Sequence, residues 1–147
     1  MEMTYFRSIA AVLAIGFGLI TSAAAQISSL PRFGAAEPNI KGELIAATDA
    51  VVPGQPLQVG LRLTPTDGWY TYWQVPGDSG LPTQIAWQLP PGFSAGPIEW
   101  PHPQRMPLGP MVNFGYKNET VLLTTISVPP DLKMGSTVTV KAEAKAD

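Results

Sequence analysis

From Leu57 to Thr64 the chain alternates: Leu57, Val59, Leu61 and Leu63 are apolar, and Gln58, Gly60, Arg62 and Thr64 between them are polar or small. A repeat of two sends successive side chains to opposite faces of an extended backbone, so this pattern predicts a strand with one buried face. Pro53-Gly54 ahead of it and Pro65-Thr66-Asp67-Gly68 behind it supply the turns. Trp69-Tyr70-Thr71-Tyr72-Trp73 is aromatic or β-branched throughout and predicts a second strand, with Trp69, Thr71 and Trp73 on one face and Tyr70 and Tyr72 on the other. Ile85, Trp87 and Leu89 alternate until Pro90-Pro91-Gly92, and Thr120 to Val128 is β-rich until Pro129-Pro130. Val138, Val140, Ala142, Ala144 and Ala146 alternate with Thr139, Lys141, Glu143 and Lys145, and Ile40 to Ala47 is a weaker candidate for the first strand. No convincing helical period occurs among these segments. Short strands with a turn signal about every 8–12 residues predict an all-β domain, most simply an immunoglobulin-like β-sandwich.

Two stretches depart from this pattern. Eight of the sixteen prolines fall between Pro82 and Pro110. Proline lacks an amide donor and is excluded from central strands, so a long surface excursion is expected there rather than more sheet. The final alternation is still running at Asp147. A final strand must pair and be covered, so the expectation is that the last strands of the domain are missing; the alternative is a terminal edge strand with charges on its outer face.

The beginning of the chain has a different character. Arg7 precedes an unbroken apolar and small run, Ile9 to Ile20, and Ser22-Ala23-Ala24-Ala25 follows. A basic start, a short apolar segment and a small-x-small site make a secretory signal peptide, with cleavage expected after Ala25. A membrane-spanning helix needs about 20 apolar residues, more than this run offers. The expected organisation is therefore a signal peptide over 1–25, a flexible Ser/Ala/Gly/Pro-rich lead-in over 26–38, and one β-sandwich domain over 39–147. The 122 residues left of 147 suffice for a single domain without covalent staples.

Composition removes several chemistries. The chain contains no cysteine, which excludes thiolate nucleophiles, thiolate metal sites and disulfide exchange by these residues themselves. A net charge of −2 with no clustered basic face argues against a nucleic-acid partner and against a polybasic membrane contact. The one histidine, His102, sits in Trp100-Pro101-His102-Pro103 with nothing beside it that marks an activated nucleophile. His102, Met106 and Met111 are soft ligands that could hold Cu(I), although they lack the fixed short spacing of a preformed site. No cofactor is implied. Asp67, Asp78, Glu99 and Glu119 are the carboxylates from which a hydrolytic pair would have to come, and no pattern aims two of them at one cleft. Gly77-Asp78-Ser79-Gly80 has the composition of a tight turn.

Asp67-Gly68-Trp69-Tyr70-Thr71-Tyr72-Trp73, Pro76-Gly77-Asp78-Ser79-Gly80-Leu81-Pro82, Trp87-Gln88-Leu89-Pro90-Pro91-Gly92, Trp100-Pro101-His102-Pro103 and Phe114-Gly115-Tyr116 occur in that order. Together they resemble the N-terminal periplasmic domain of the thiol:disulfide interchange protein DsbD, and most of all the branch that includes the copper-sensitivity suppressor ScsB. The resemblance runs from about Pro53 to Asp147. It implies an immunoglobulin-like sandwich in the periplasm of a Gram-negative bacterium, within systems tied to cytochrome c biogenesis and copper tolerance. It further implies a domain that takes electrons from a membrane-embedded domain of the same polypeptide and passes them to periplasmic thiol proteins. In that family a cysteine pair does the work; by motif order it would follow Lys145-Ala146-Asp147. A short aromatic loop shields the pair, and by position it corresponds to Val112-Asn113-Phe114-Gly115-Tyr116. Phe114 and Tyr116 are carried over as shielding aromatics, with Asn113, Tyr72 and Asp78 as further partner-facing candidates. A glycine-containing turn with core aromatics remains open as the other account of the same residues. Two other functions also remain open: a stand-alone binding module that stacks Trp69, Trp73 and Trp100 on sugars, and a periplasmic copper-binding protein.

Overall fold

Leu57, Val59, Leu61 and Leu63 all turn inward, as their alternation requires, and Leu63 is completely buried. The computed structural model in which they do so describes residues 39–146; the expected signal peptide and lead-in, and Asp147, lie outside the described residues. Among the described residues nine strands run in chain order: β1 (Ile40–Ala46), β2 (Leu57–Pro65), β3 (Thr71–Gly77), β4 (Gln84–Gln88), β5 (Ser94–Glu99), β6 (Gln104–Leu108), β7 (Met111–Tyr116), β8 (Thr120–Ser127) and β9 (Lys141–Lys145). The described residues contain no helix, so none is long and apolar enough to cross a membrane.

The strands form three antiparallel sheets. Four order as β1-β2-β8-β5, three as β3-β7-β6, and two as β4-β9. Register follows the hydrophobic pattern: Leu61 pairs with Leu122 and Leu57 with Ile126, which keeps the apolar residues of β2 and β8 on one face. That face packs against the two smaller sheets. At one end Ile40, Leu61, Leu63 and Leu122 meet Tyr116, Ala144 and Ala146, with Trp73, Ile85, Ile98 and Trp100 packed around them. At the other end Leu57, Val59, Ile126 and Val128 are flanked by Trp87, Leu89, Phe93 and Val140. Each fully buried aliphatic side chain contributes about 1.5–3 kcal/mol, so the space between layers is what holds the sheets together. The architecture is an immunoglobulin-like β-sandwich.

The segment from Pro82 to Pro110 differs from its expectation. It holds β4, β5 and β6 and is not an extended loop. The prolines are accommodated where no ladder bond is lost. Pro97 sits in the irregularity of β5 between Ala95 and Ile98, Pro107 lies on β6 at the margin of its sheet, and the rest fall between strands. Val112 to Tyr116, expected as a shielding loop, is likewise strand β7, flanked on both sides by β3 and β6. Trp69 precedes β3 and is half exposed, so the face assignment holds for Thr71 and Trp73 but not for Trp69.

Candidate functional site

Four residues, Gly77-Asp78-Ser79-Gly80, leave β3 and fold back on β7. Both glycines adopt left-handed backbone, φ 99° at Gly77 and 85° at Gly80, which a side chain would oppose. A Cβ on Gly80 would overlap the ring of Tyr72, so that ring lies directly over the loop. The Asp78 amide donates to the Val112 carbonyl at 3.1 Å, and the Val112 amide donates to Asp78 Oδ2 at 2.7 Å. One residue further on, the Ser79 amide donates to Asn113 Oδ1 at 3.1 Å. Asn113 Nδ2 donates to Ser79 Oγ at 2.8 Å, and that hydroxyl lies 3.3 Å from Asn113 Oδ1, to which it can donate. Asn113 itself is fully buried. Tyr70 and Tyr72 meet edge to face, ring centroids 5.2 Å apart, with their hydroxyls 3.3 Å apart.

Successive residues of β7 face opposite ways. Phe114 and Tyr116 therefore point to the side away from Asn113, toward the space between the layers. Phe114 is half-buried and presents its ring to Trp73, centroids 6.5 Å apart and planes at 64°. Tyr116 is buried in the core and donates its hydroxyl to the Pro101 carbonyl at 2.7 Å. Burial disfavours its phenolate and pushes its pKa up to about 12.

The five candidate residues thus divide. Tyr72, Asp78 and Asn113 belong to the loop contact on one side of β7. Phe114 lies at the margin of the interlayer space on the other side, and Tyr116 lies within the core. Sequence reasoning missed Ser79, which closes the Asn113 carboxamide from 34 positions away. The available signal was an asparagine in a strand-like run, since a residue type disfavoured in strands needs a local reason to be there.

The remaining candidates are not brought together. Met106 is buried, whereas His102 and Met111 are exposed. His102 precedes β6 and Met111 pairs with Leu108 at its far end, a separation of about 20 Å at the rise of an extended strand. Among the described residues no group of three His, Cys, Asp or Glu side chains could hold a metal ion. Glu99 accepts from Thr125, and Glu119 pairs with Arg62 at 3.7 Å, so these carboxylates are engaged apart from Asp78. Trp73 and Trp100 pack against the core, leaving Trp69 as the exposed member of the tryptophan trio suggested for sugar stacking. A shallow groove of about 410 Å³ lies between Asp49–Pro53 and Leu132–Val138, away from all of these residues.

A two-layer antiparallel sandwich whose β3 and β7 are joined by a glycine-flanked loop defines the class: an all-β module of the immunoglobulin-like type. Residues 41–146 match the family model described as thiol:disulfide interchange protein DsbD, N-terminal, and the chain belongs to that family of thiol:disulfide interchange domains. Among solved structures it is similar to the N-terminal periplasmic domain of ScsB from Proteus mirabilis, with a TM-score of 0.50 and 16% identity. The likeness covers 74% of this chain and 47% of that one, so the chain spans about half the length of that structure, and at this identity it shows the fold. No curated protein matches the sequence.

Proposed function

We propose that this chain is the periplasmic module of a thiol:disulfide interchange system, exported by its leader, that docks periplasmic thiol proteins at the end of the sandwich bearing Phe114. In the complete system a membrane-embedded domain supplies the electrons and the periplasmic thiol proteins receive them. The family match across 41–146 carries this reading. The half-buried Phe114 on β7 supports the choice of surface, because an aromatic that is packed but not enclosed can contact a partner without unfolding its own domain. Exchange proceeds by thiolate attack on a disulfide, and the 147 residues hold no cysteine. Their contribution is therefore the scaffold and the docking surface.

The test uses the isotope-labelled chain and a purified periplasmic thioredoxin-fold protein in its oxidised and reduced forms. Amide shifts on titration are expected to concentrate at Val112–Gly115, and thiol trapping of the added protein is expected to show no change in its redox state. Absence of binding at millimolar concentration, or shifts confined to the Leu132–Val138 groove, overturns the reading.

A further inference from the structure

We propose that Asn113 is a positioning residue: through Ser79 it clasps the Gly77–Gly80 loop onto β7 and thereby sets where Phe114 is held. The assignment of a partner-facing role to Phe114 rests on the function proposed above; the clasp itself rests on geometry.

Asparagine is disfavoured inside a strand because its carboxamide competes for backbone groups. Buried without partners, such a group is destabilising. Asn113 is nevertheless fully buried in the central strand of its sheet. Both halves of its carboxamide are satisfied by a single residue, the oxygen by the Ser79 amide and the nitrogen by the Ser79 hydroxyl. A donor and an acceptor at this length are what the asparagine side chain provides: aspartate would supply no donor, and glutamine would be one methylene too long.

The neighbouring position is fixed in the same way, because Val112 exchanges both of its backbone groups with Asp78. Beyond Phe114, Gly115 lies so close to the Thr71 carbonyl that no side chain fits, with Met106 Cε 2.9 Å from where its Cβ would stand. Phe114 is thus held from both sides, by hydrogen bonds before it and by close backbone approach after it. Its ring meets that of Trp73 edge to face. Displacing the Phe114 backbone along or out of the sheet would strain the Ser79–Asn113 and Asp78–Val112 bonds, so the loop sets the position from which that ring extends.

The test compares the 147-residue protein with its Ser79→Ala and Ser79→Thr variants, chosen because Ser79 is only half-buried and its truncation spares the core. Loss of the hydroxyl is expected to speed hydrogen exchange at the Ser79 and Val112 amides by about tenfold, the effect of one lost buried hydrogen bond. It is also expected to shift the Trp73 indole N–H and Phe114 ring resonances, while exchange at Leu61 and Leu122 is unchanged. Ser79→Thr, which keeps the hydroxyl, restores the resonances. Unaltered Phe114 and Trp73 resonances in Ser79→Ala overturn the positioning role, even if exchange accelerates, and so does failure of the threonine variant to restore them. None of these readouts involves a partner, so the clasp and the docking function succeed or fail separately.

Discussion

Gly115 offers the sharpest test of how the three-stranded sheet is packed. It pairs with Tyr72 on one side and with Gln104 on the other. A methyl at this position would overlap the carbonyl oxygen of Thr71 and stand 3.0 Å from the carbonyl carbon and 2.9 Å from Met106 Cε. Met106 can rotate, but the Thr71 backbone cannot, since Thr71 is fully buried and its position opposite Tyr116 is set by the ladder. β3 must therefore move off β7. Overpacking of this kind costs about 1–3 kcal/mol, and each ladder hydrogen bond lost adds about 0.5–1.5 kcal/mol. Replacing glycine returns about 0.4–1 kcal/mol by restricting the unfolded chain. The net expectation for Gly115→Ala is a loss of about 3 kcal/mol, a large part of the roughly 5–15 kcal/mol that holds a domain of this size together.

Gly60→Ala is the internal control. Its methyl would meet Val121 Cγ1 at 2.7 Å, Ile45 Cγ1 at 3.1 Å and Leu123 Cδ2 at 3.3 Å, all side-chain atoms of half-buried residues that can give way. It should cost about 1 kcal/mol or less. Urea unfolding followed by tryptophan fluorescence reads both variants. With a slope of about 1–3 kcal/mol per molar, Gly115→Ala should lower the midpoint by about 1–3 M. A loss below about 1 kcal/mol, or one no greater than that of Gly60→Ala, would refute the close approach of β3 and β7.

Two further predictions use the same assay. Thr124 is fully buried between β2 and β5 with no hydrogen-bond partner for its hydroxyl, so Thr124→Val should be neutral or raise stability by about 1 kcal/mol; a loss of more than that would show that the hydroxyl is satisfied. Tyr116 holds its proton more tightly when folded than when unfolded, its pKa being raised from 10.0 to about 12 by burial. The corresponding stability is complete below pH 10 and is lost as the pH climbs from 10 through 12. Tyr116→Phe should flatten that decline, and at neutral pH it should cost about 0.5–1.5 kcal/mol for the lost bond to Pro101; an unchanged alkaline slope would refute the assignment.

The legibility of the fold followed the physics of each strand. β2, β4 and β9 could be read because alternation marks one buried face, and their apolar residues form or flank the core, while β8 was read from its β-rich composition and β1 only as a weaker candidate. β5 and β6 could not, because Pro97 and Pro107 argue locally against sheet while their neighbours in space remove the objection. β7 was hidden differently. Its Asn113 and Gly115 suggest a loop, and both are explained only by partners far along the chain, Ser79 and Thr71. The loop contact was half visible: Asp78, Asn113 and Tyr72 were singled out, but the serine that joins them belonged to what looked like an ordinary turn. Phe114 and Tyr116 were grouped by sequence proximity, and the structure separates them by depth.

The awkward prolines also bear on how this protein behaves in a crowded compartment. Unpaired strand margins can recruit other chains into growing sheets. Here three of the four margins of the two larger sheets carry a proline: Pro97 on β5, Pro107 on β6 and Pro76 on β3. The fourth, β1, turns Lys41 and Glu43 outward instead. Imino acids that break the hydrophobic rhythm of the sequence thus leave gaps in the donor rows along which a stacking neighbour would have to zip, which favours a protein that stays dispersed at high concentration.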